Sequence, residues 1–175
     1  MAPVGEGDEK AQLRPTSDRV REAIFNLLIN GGYGDPLAGA RVLDLFAGTG
    51  ALGLEALSRG AAEAVFVDNG ATARALMKRN IALMRAEAQT EILRFNATKL
   101  PGNRGAGFDV IFLDPPYGKA MGELALAACR DGKWLSPEAL IVWEESAPPP
   151  LVGGFDMLDR RKYGDTIVSL LRARI

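Results

Sequence analysis

Four short apolar runs in this chain each stop at an acid or an amide, with glycine-rich or helix-like stretches between them. They are Arg41-Val-Leu-Asp44-Leu-Phe46, Ala64-Val-Phe-Val-Asp68, Glu91-Ile-Leu-Arg-Phe95 with Asn96 behind it, and Phe108-Asp-Val-Ile-Phe-Leu-Asp114. Runs this short, rich in β-branched and aromatic residues and closed by turn formers, read as buried strands. Strands that alternate with helices imply a parallel sheet covered by helices, an α/β fold. In such a sheet, ligands bind beyond the carboxyl ends of the strands, where strand order reverses. Asp44, Asp68, Asn96 and Asp114 are therefore expected along one rim.

The remaining elements follow in order. Residues 1–12 show no apolar period and are expected to form a disordered tail. Residues 13–175 are expected to form one domain. Thr16, Ser17 and Asp18 are candidate N-caps for a helix whose inner face carries Val20, Ala23, Ile24, Leu27 and Leu28. Ala51 to Ser58 reads as a helix with Gly60 as its C-cap. Thr72 to about Arg85 reads as another, with Ala73, Leu76, Met77, Ile81 and Met84 inward. Met121 to Arg130 is a third. Ala139 to Glu145 is a fifth strand. Phe155 to Arg161 and Thr166 to Arg172 read as an antiparallel closing pair.

Composition narrows the chemistry. The chain has no histidine and a single cysteine, Cys129. That excludes a histidine base, a histidine-ligated metal, a cysteine zinc site and an internal disulfide, so no metal is expected. Cys129 reads as a buried helix residue. A net charge of −1 means that any nucleic-acid contact must come from a local basic patch. No apolar run is long enough to span a membrane and no signal peptide is visible, so the expected compartment is the cytoplasm.

Two motifs sit on the rim. Gly48-x-Gly50-x-x-Gly53 matches a dinucleotide fingerprint, and Asp68 follows Gly48 at about the usual gap to a ribose-binding acid. Asp44, however, stands where a pyrophosphate would lie, and a carboxylate there repels phosphate. S-adenosylmethionine carries no phosphate and has an ammonium and a sulfonium, which Asp44 suits. Asp68 would take its ribose hydroxyls. Asn96 would bond the adenine edge or else serve as an ordinary turn residue. The second motif is Asp114-Pro115-Pro116-Tyr117. The prolines have no N–H to give, so the run is stiff and rich in acceptors. With an aromatic ring beside it, it makes a slot for a planar base bearing an exocyclic amine. Read blandly, it is a proline turn with a surface tyrosine.

Together these motifs resemble the class I methyltransferases, and more narrowly the RsmD family of bacterial 16S rRNA guanine-N2 methyltransferases. The resemblance is carried by Arg14-Pro-Thr-Ser-Asp-Arg-Val-Arg-Glu-Ala-Ile-Phe25, by Leu43 to Gly60, by Asp114 to Tyr117 and by Tyr163-Gly-Asp-Thr166. It implies a single-domain, Rossmann-like, mostly parallel seven-stranded sheet with helices on both faces. It implies methyl transfer from S-adenosylmethionine to a guanine of 16S rRNA, in the small subunit or its assembly particle, by a monomer. It also implies Arg14, Thr16, Asp44, Phe46, Ala47, Gly48, Thr49, Gly50, Asp68, Asn96 and Ala97 at the cofactor, and Asp114, Pro115, Pro116 and Tyr117 as the catalytic run. Relatives begin with a basic hairpin where this chain has the partly acidic Met1 to Gln12, and many carry Asp where it has Asn96. Adenine-N6 methylation of DNA uses the same Asp-Pro-Pro-Tyr run and stays open, as does a cofactor-binding assembly factor without turnover.

Arg19, Arg21 and Lys119 are the candidate RNA contacts. Arg19 and Arg21 fall in the first turn of a helix, where the dipole disfavours positive charge. Ion pairs with Asp18 or Glu22 are the alternative for each.

Overall fold

The computed structural model describes residues 17–175. The expected tail, the domain start and the cofactor candidates Arg14 and Thr16 lie outside the described residues. The helices are α1 (Asp18–Asn30), α2 (Ala51–Ser58), α3 (Ala71–Leu83) and α4 (Met121–Asp131). The strands are β1 (Arg41–Leu45), β2 (Glu63–Val67), β3 (Thr90–Leu93), β4 (Phe108–Leu113), β5 (Leu135–Glu145), β6 (Phe155–Tyr163) and β7 (Thr166–Ala173). They form one seven-stranded sheet in the order β3-β2-β1-β4-β5-β7-β6. The pairs β2–β3, β1–β2, β1–β4 and β4–β5 are parallel, while β7 runs against both β5 and β6. Strand order reverses between β1 and β4, so the crevice expected to take a ligand opens there.

Alternation along the strands builds two cores. Val42, Phe66, Val110, Phe112, Leu140 and Val142 pack with α1, α2 and α3 on one face. Leu43, Val65, Ile111, Leu113, Ile141 and Trp143 pack with Ala125, Leu126 and Cys129 of α4 on the other. Phe25 of α1 meets Phe112 at a ring distance of 5.6 Å. Ser17 caps α1, its hydroxyl accepting from Val20 N–H at 3.2 Å. Among the described residues, no helix is long and apolar enough to cross a membrane.

Some expectations needed correction. Met84, expected inward, is 39% exposed because α3 stops at Leu83. Its place on the inner face is taken by Asn80, which is fully buried. The C-cap of α2 is Arg59, and Gly60 follows it with φ at +108°. β5 starts earlier than expected, at Leu135, because a register shift against β4 absorbs Ser136 to Glu138.

Candidate active site

The turn after β1 begins the site. Phe46, Gly48 and Gly50 all have positive φ, at 55°, 59° and 79°. Glycine reaches this region without cost, while a side chain at Phe46 holds it under strain. The turn is braced from α3, where Asn80 Nδ2 donates to the Thr49 carbonyl at 2.9 Å. Its helix is braced by Gly53, whose N–H donates to Asp44 Oδ2 at 3.0 Å. A Cβ at Gly53 would lie 2.5 Å from Phe66 Cε1, so only glycine lets α2 sit this close to β2.

Asp68 stands directly after β2 and fixes the turn from the other side. Its Oδ2 accepts from Gly48 N–H at 3.0 Å and its Oδ1 accepts from Gly70 N–H at 2.8 Å. A carboxylate offers roughly four acceptor sites, so both oxygens keep capacity for a ligand. Asn96 Oδ1 accepts from Thr98 N–H at 3.0 Å and from its hydroxyl at 2.8 Å. The turn role foreseen for Asn96 is thus realised, and Asn96 also borders the cleft described next.

These elements enclose a cleft of about 290 Å³. Gly48, Asp68, Asn69 and Gly70 line one side, Asp114, Pro116 and Met121 the other, and Phe46, Val67, Phe95 and Ala97 supply apolar wall. Among the described residues, its lining includes two carboxylates and no lysine or arginine. Of the sequence candidates, Phe46, Gly48, Asp68, Asn96, Ala97, Asp114 and Pro116 line the cleft, whereas Asp44, Ala47, Thr49, Gly50, Pro115 and Tyr117 do not. Asp44 is only 2% exposed. Burial raises its pKa well above the carboxylate range, repulsion from Asp114 and Asp68 raises it further, and the Gly53 N–H partly offsets both.

Asp114 follows β4 directly and is half-buried, like Pro116 and Tyr117, while Pro115 is buried. The Tyr117 hydroxyl lies 3.3 Å from Thr166 Oγ1. The next N–H, of Gly118, donates to Glu145 Oε1 at 3.1 Å. Sequence reasoning missed Asn80 and Glu145, and took Thr166 only as part of the Tyr163-Gly-Asp-Thr166 run, without a place at the site. The signal for Asn80 was a polar residue on an apolar helical stripe.

The three basic candidates separate. Arg21 pairs with Asp18 at 2.9 Å and approaches Glu55 at 3.7 Å, so its ion-pair alternative is realised. Arg19 is exposed and borders a shallow groove with Glu22, Asn26 and Arg59. Lys119 is exposed on the turn between Tyr117 and α4. Cys129 is buried as expected, and burial pushes its thiol up to about 12, which makes it inert as a nucleophile.

Comparison with known proteins was consistent across sequence and structure. The family model described as conserved hypothetical protein 95 matches residues 7–172. Ribosomal RNA small subunit methyltransferase D of Escherichia coli (strain K12) is 38% identical over 164 residues, covering 93% of this chain and 80% of that protein. A solved Escherichia coli chain, described provisionally as the methyltransferase yhhF, matches with a TM-score of 0.79 at 33% identity, covering 93% of this chain and 88% of that one. An RNA methyltransferase of Salinibacter ruber, solved with S-adenosyl-L-homocysteine, shares the fold with a TM-score of 0.71 at 13% identity, covering 92% of this chain and 94% of that one.

Proposed function

This chain belongs to the conserved hypothetical protein 95 family, the RsmD methyltransferases, and from that premise we propose that it methylates the exocyclic N2 amine of a guanine in 16S rRNA, using S-adenosylmethionine. The observation that carries the reading is the charge of the cleft. Two carboxylates and, among the described residues, no basic side chain in its lining suit a cationic ligand and oppose a pyrophosphate. A nicotinamide dinucleotide is disfavoured for that reason despite the glycine spacing.

The residues fit the cofactor. Asp68 takes the ribose hydroxyls with the acceptor capacity left beyond Gly48 and Gly70. The apolar wall of Val67, Phe95 and Ala97 suits a flat ring. Asp44 acts on the cationic end only indirectly, by fixing Gly53 at the start of α2. Bound there, S-adenosylmethionine supplies an electrophilic methyl group on a sulfonium.

The protein's task is positioning. A guanine N2 lone pair is delocalised into the ring and is a poor nucleophile. Asp114 and the Pro115 carbonyl accept the amine's hydrogens and turn that lone pair toward the cleft. They also stabilise the positive charge that develops on nitrogen. Tyr117 stacks on the base, a contact worth ~1–3 kcal/mol in single-strand binding. The base must be unpaired or flipped to enter. Lys119 and Arg19 are the exposed cations offered to the RNA backbone. In this reading the partner is the small ribosomal subunit or its assembly particle, in the cytoplasm.

The test is incubation with labelled S-adenosylmethionine and small ribosomal subunits from a strain lacking the enzyme, followed by nucleoside analysis. N2-methylguanosine in 16S rRNA is the expected product. Label in adenine of duplex DNA, with none in rRNA, would overturn the substrate assignment. An unlabelled particle with the cofactor bound would overturn the catalytic one.

A further inference from the structure

The Asp114–Tyr117 run is stiff at its near end and soft at its far end. Two prolines constrain the approach to Tyr117, but the chain beyond it turns through Gly118 at φ +73° and Ala120 at φ +55°. Gly118, Lys119 and Ala120 are all exposed. Two groups of the sheet reach this turn. Glu145, the last residue of β5, accepts the Gly118 N–H at 3.1 Å. Thr166, the first residue of β7, places its hydroxyl 3.3 Å from that of Tyr117. The β5–β7 register pairs Glu145 with Ile167, so the two anchors stand side by side at one strand end.

Glu145 is 7% exposed, and a carboxylate that deep is costly unless it is hydrogen-bonded. The N–H groups of Gly118 and Ser146 offset part of that cost, while burial keeps its pKa above the usual value. The hydroxyl of Tyr117 is tied to the sheet through Thr166.

We propose that Glu145 and Thr166 are positioning residues that clamp Gly118 and the Tyr117 hydroxyl, holding the Tyr117 ring in the plane required to stack on the target base. The inference rests on the reading of Asp114–Tyr117 as the base-holding run. Neither residue touches the reacting atoms, so their loss should leave cofactor affinity unchanged.

The experiment uses the full chain and hypomethylated small ribosomal subunits, with kcat and KM measured for Tyr117→Phe, Thr166→Val, their double variant, Thr166→Ser and Glu145→Ala. Hydrogen exchange at the Gly118 amide and calorimetric S-adenosylmethionine affinity are measured on the same samples. Each single hydroxyl deletion should lower kcat/KM by about two- to tenfold, the range for one neutral hydrogen bond. The double variant should be no worse than either single one, because both remove the same bond. Thr166→Ser should restore activity, and Glu145→Ala should speed Gly118 exchange with cofactor affinity unchanged. Multiplying losses, a silent Thr166→Val, or a fall in cofactor affinity parallel to activity would each overturn the clamp. A wild type that shows a protected Gly118 amide but methylates no RNA would instead overturn the base-holding reading, and the positioning role with it.

Discussion

Alanine at Gly53 would test whether the turn after β1 is held in shape by the close packing of α2 on β2. The added Cβ would lie 2.5 Å from Phe66 Cε1, 3.0 Å from its Cζ and 3.2 Å from Asp44 Oδ2. Phe66 is fully buried within the core against α2 and α3, so its ring has no open space to retreat into. Overpacking of this kind costs about 1–3 kcal/mol. Against it stands the helix propensity of alanine, which favours the variant by roughly 0.5–1 kcal/mol over glycine. The net loss is therefore about 0–2.5 kcal/mol, centred near 1 kcal/mol. At about 2–4 °C per kcal/mol for a chain of this size, Tm should fall by up to roughly 10 °C. The matched control is Gly102→Ala, on a loop where a Cβ would meet nothing within 4 Å. Calorimetric melts of both variants decide the matter. Gly53→Ala as stable as Gly102→Ala would refute the packing argument, and with it the reason that a glycine stands there.

Further outcomes follow from the same geometry. Asp44 has its pKa raised by burial and by the two neighbouring carboxylates, so its neutral form is the one the fold favours. Its stabilising contribution is full below the ordinary carboxylate pKa of about 4 and is lost as pH rises through the elevated value. Asp44→Asn keeps an oxygen for Gly53 N–H and should therefore melt progressively higher than wild type between acid and neutral pH; a constant difference would count against a buried charge. Asp68→Ala removes the acceptor for Gly48 and Gly70 and for the ribose, and calorimetry should show S-adenosylmethionine binding roughly ten- to hundredfold weaker, the range for a charged hydrogen bond. Gly122→Ala would bring a Cβ to 2.5 Å from Trp143 Nε1, so it should cost about 1–3 kcal/mol in urea unfolding and alter tryptophan fluorescence.

Local chemistry made most of the frame legible. Strand period, turn residues and caps act over a few residues, and β1 to β4 were found within a residue or two for that reason. Asp44 shows what local reading leaves out. It was expected to suit the cofactor's cations, directly or through water. In the structure it shares a face with Val42 inside β1 and is buried beneath α2, where it holds Gly53. Arg19 and Arg21 looked equivalent in sequence, but Arg21 pairs with Asp18 and also approaches Glu55, a residue of the next helix that no local pattern places there. Asn80 was unreadable as a brace because its acceptor, Thr49, lies far away along the chain.

The clamp on Tyr117 depends on a property that no local pattern carries, the order of the strands. Had the closing strands been added to the sheet in chain order, β6 would pair with β5. Thr166 would then stand one strand further from Tyr117, beyond reach of a hydrogen bond, since neighbouring strands are about 4.8 Å apart. Instead β7 inserts between β5 and β6. Insertion brings the first residue of the last strand beside Glu145 at the end of β5, over the rim where Asp114 emerges. The antiparallel strand is thus more than an edge for the sheet. It carries to the cleft an anchor that a parallel strand in the same slot would begin at the opposite end, because only a strand running against the others starts where they finish.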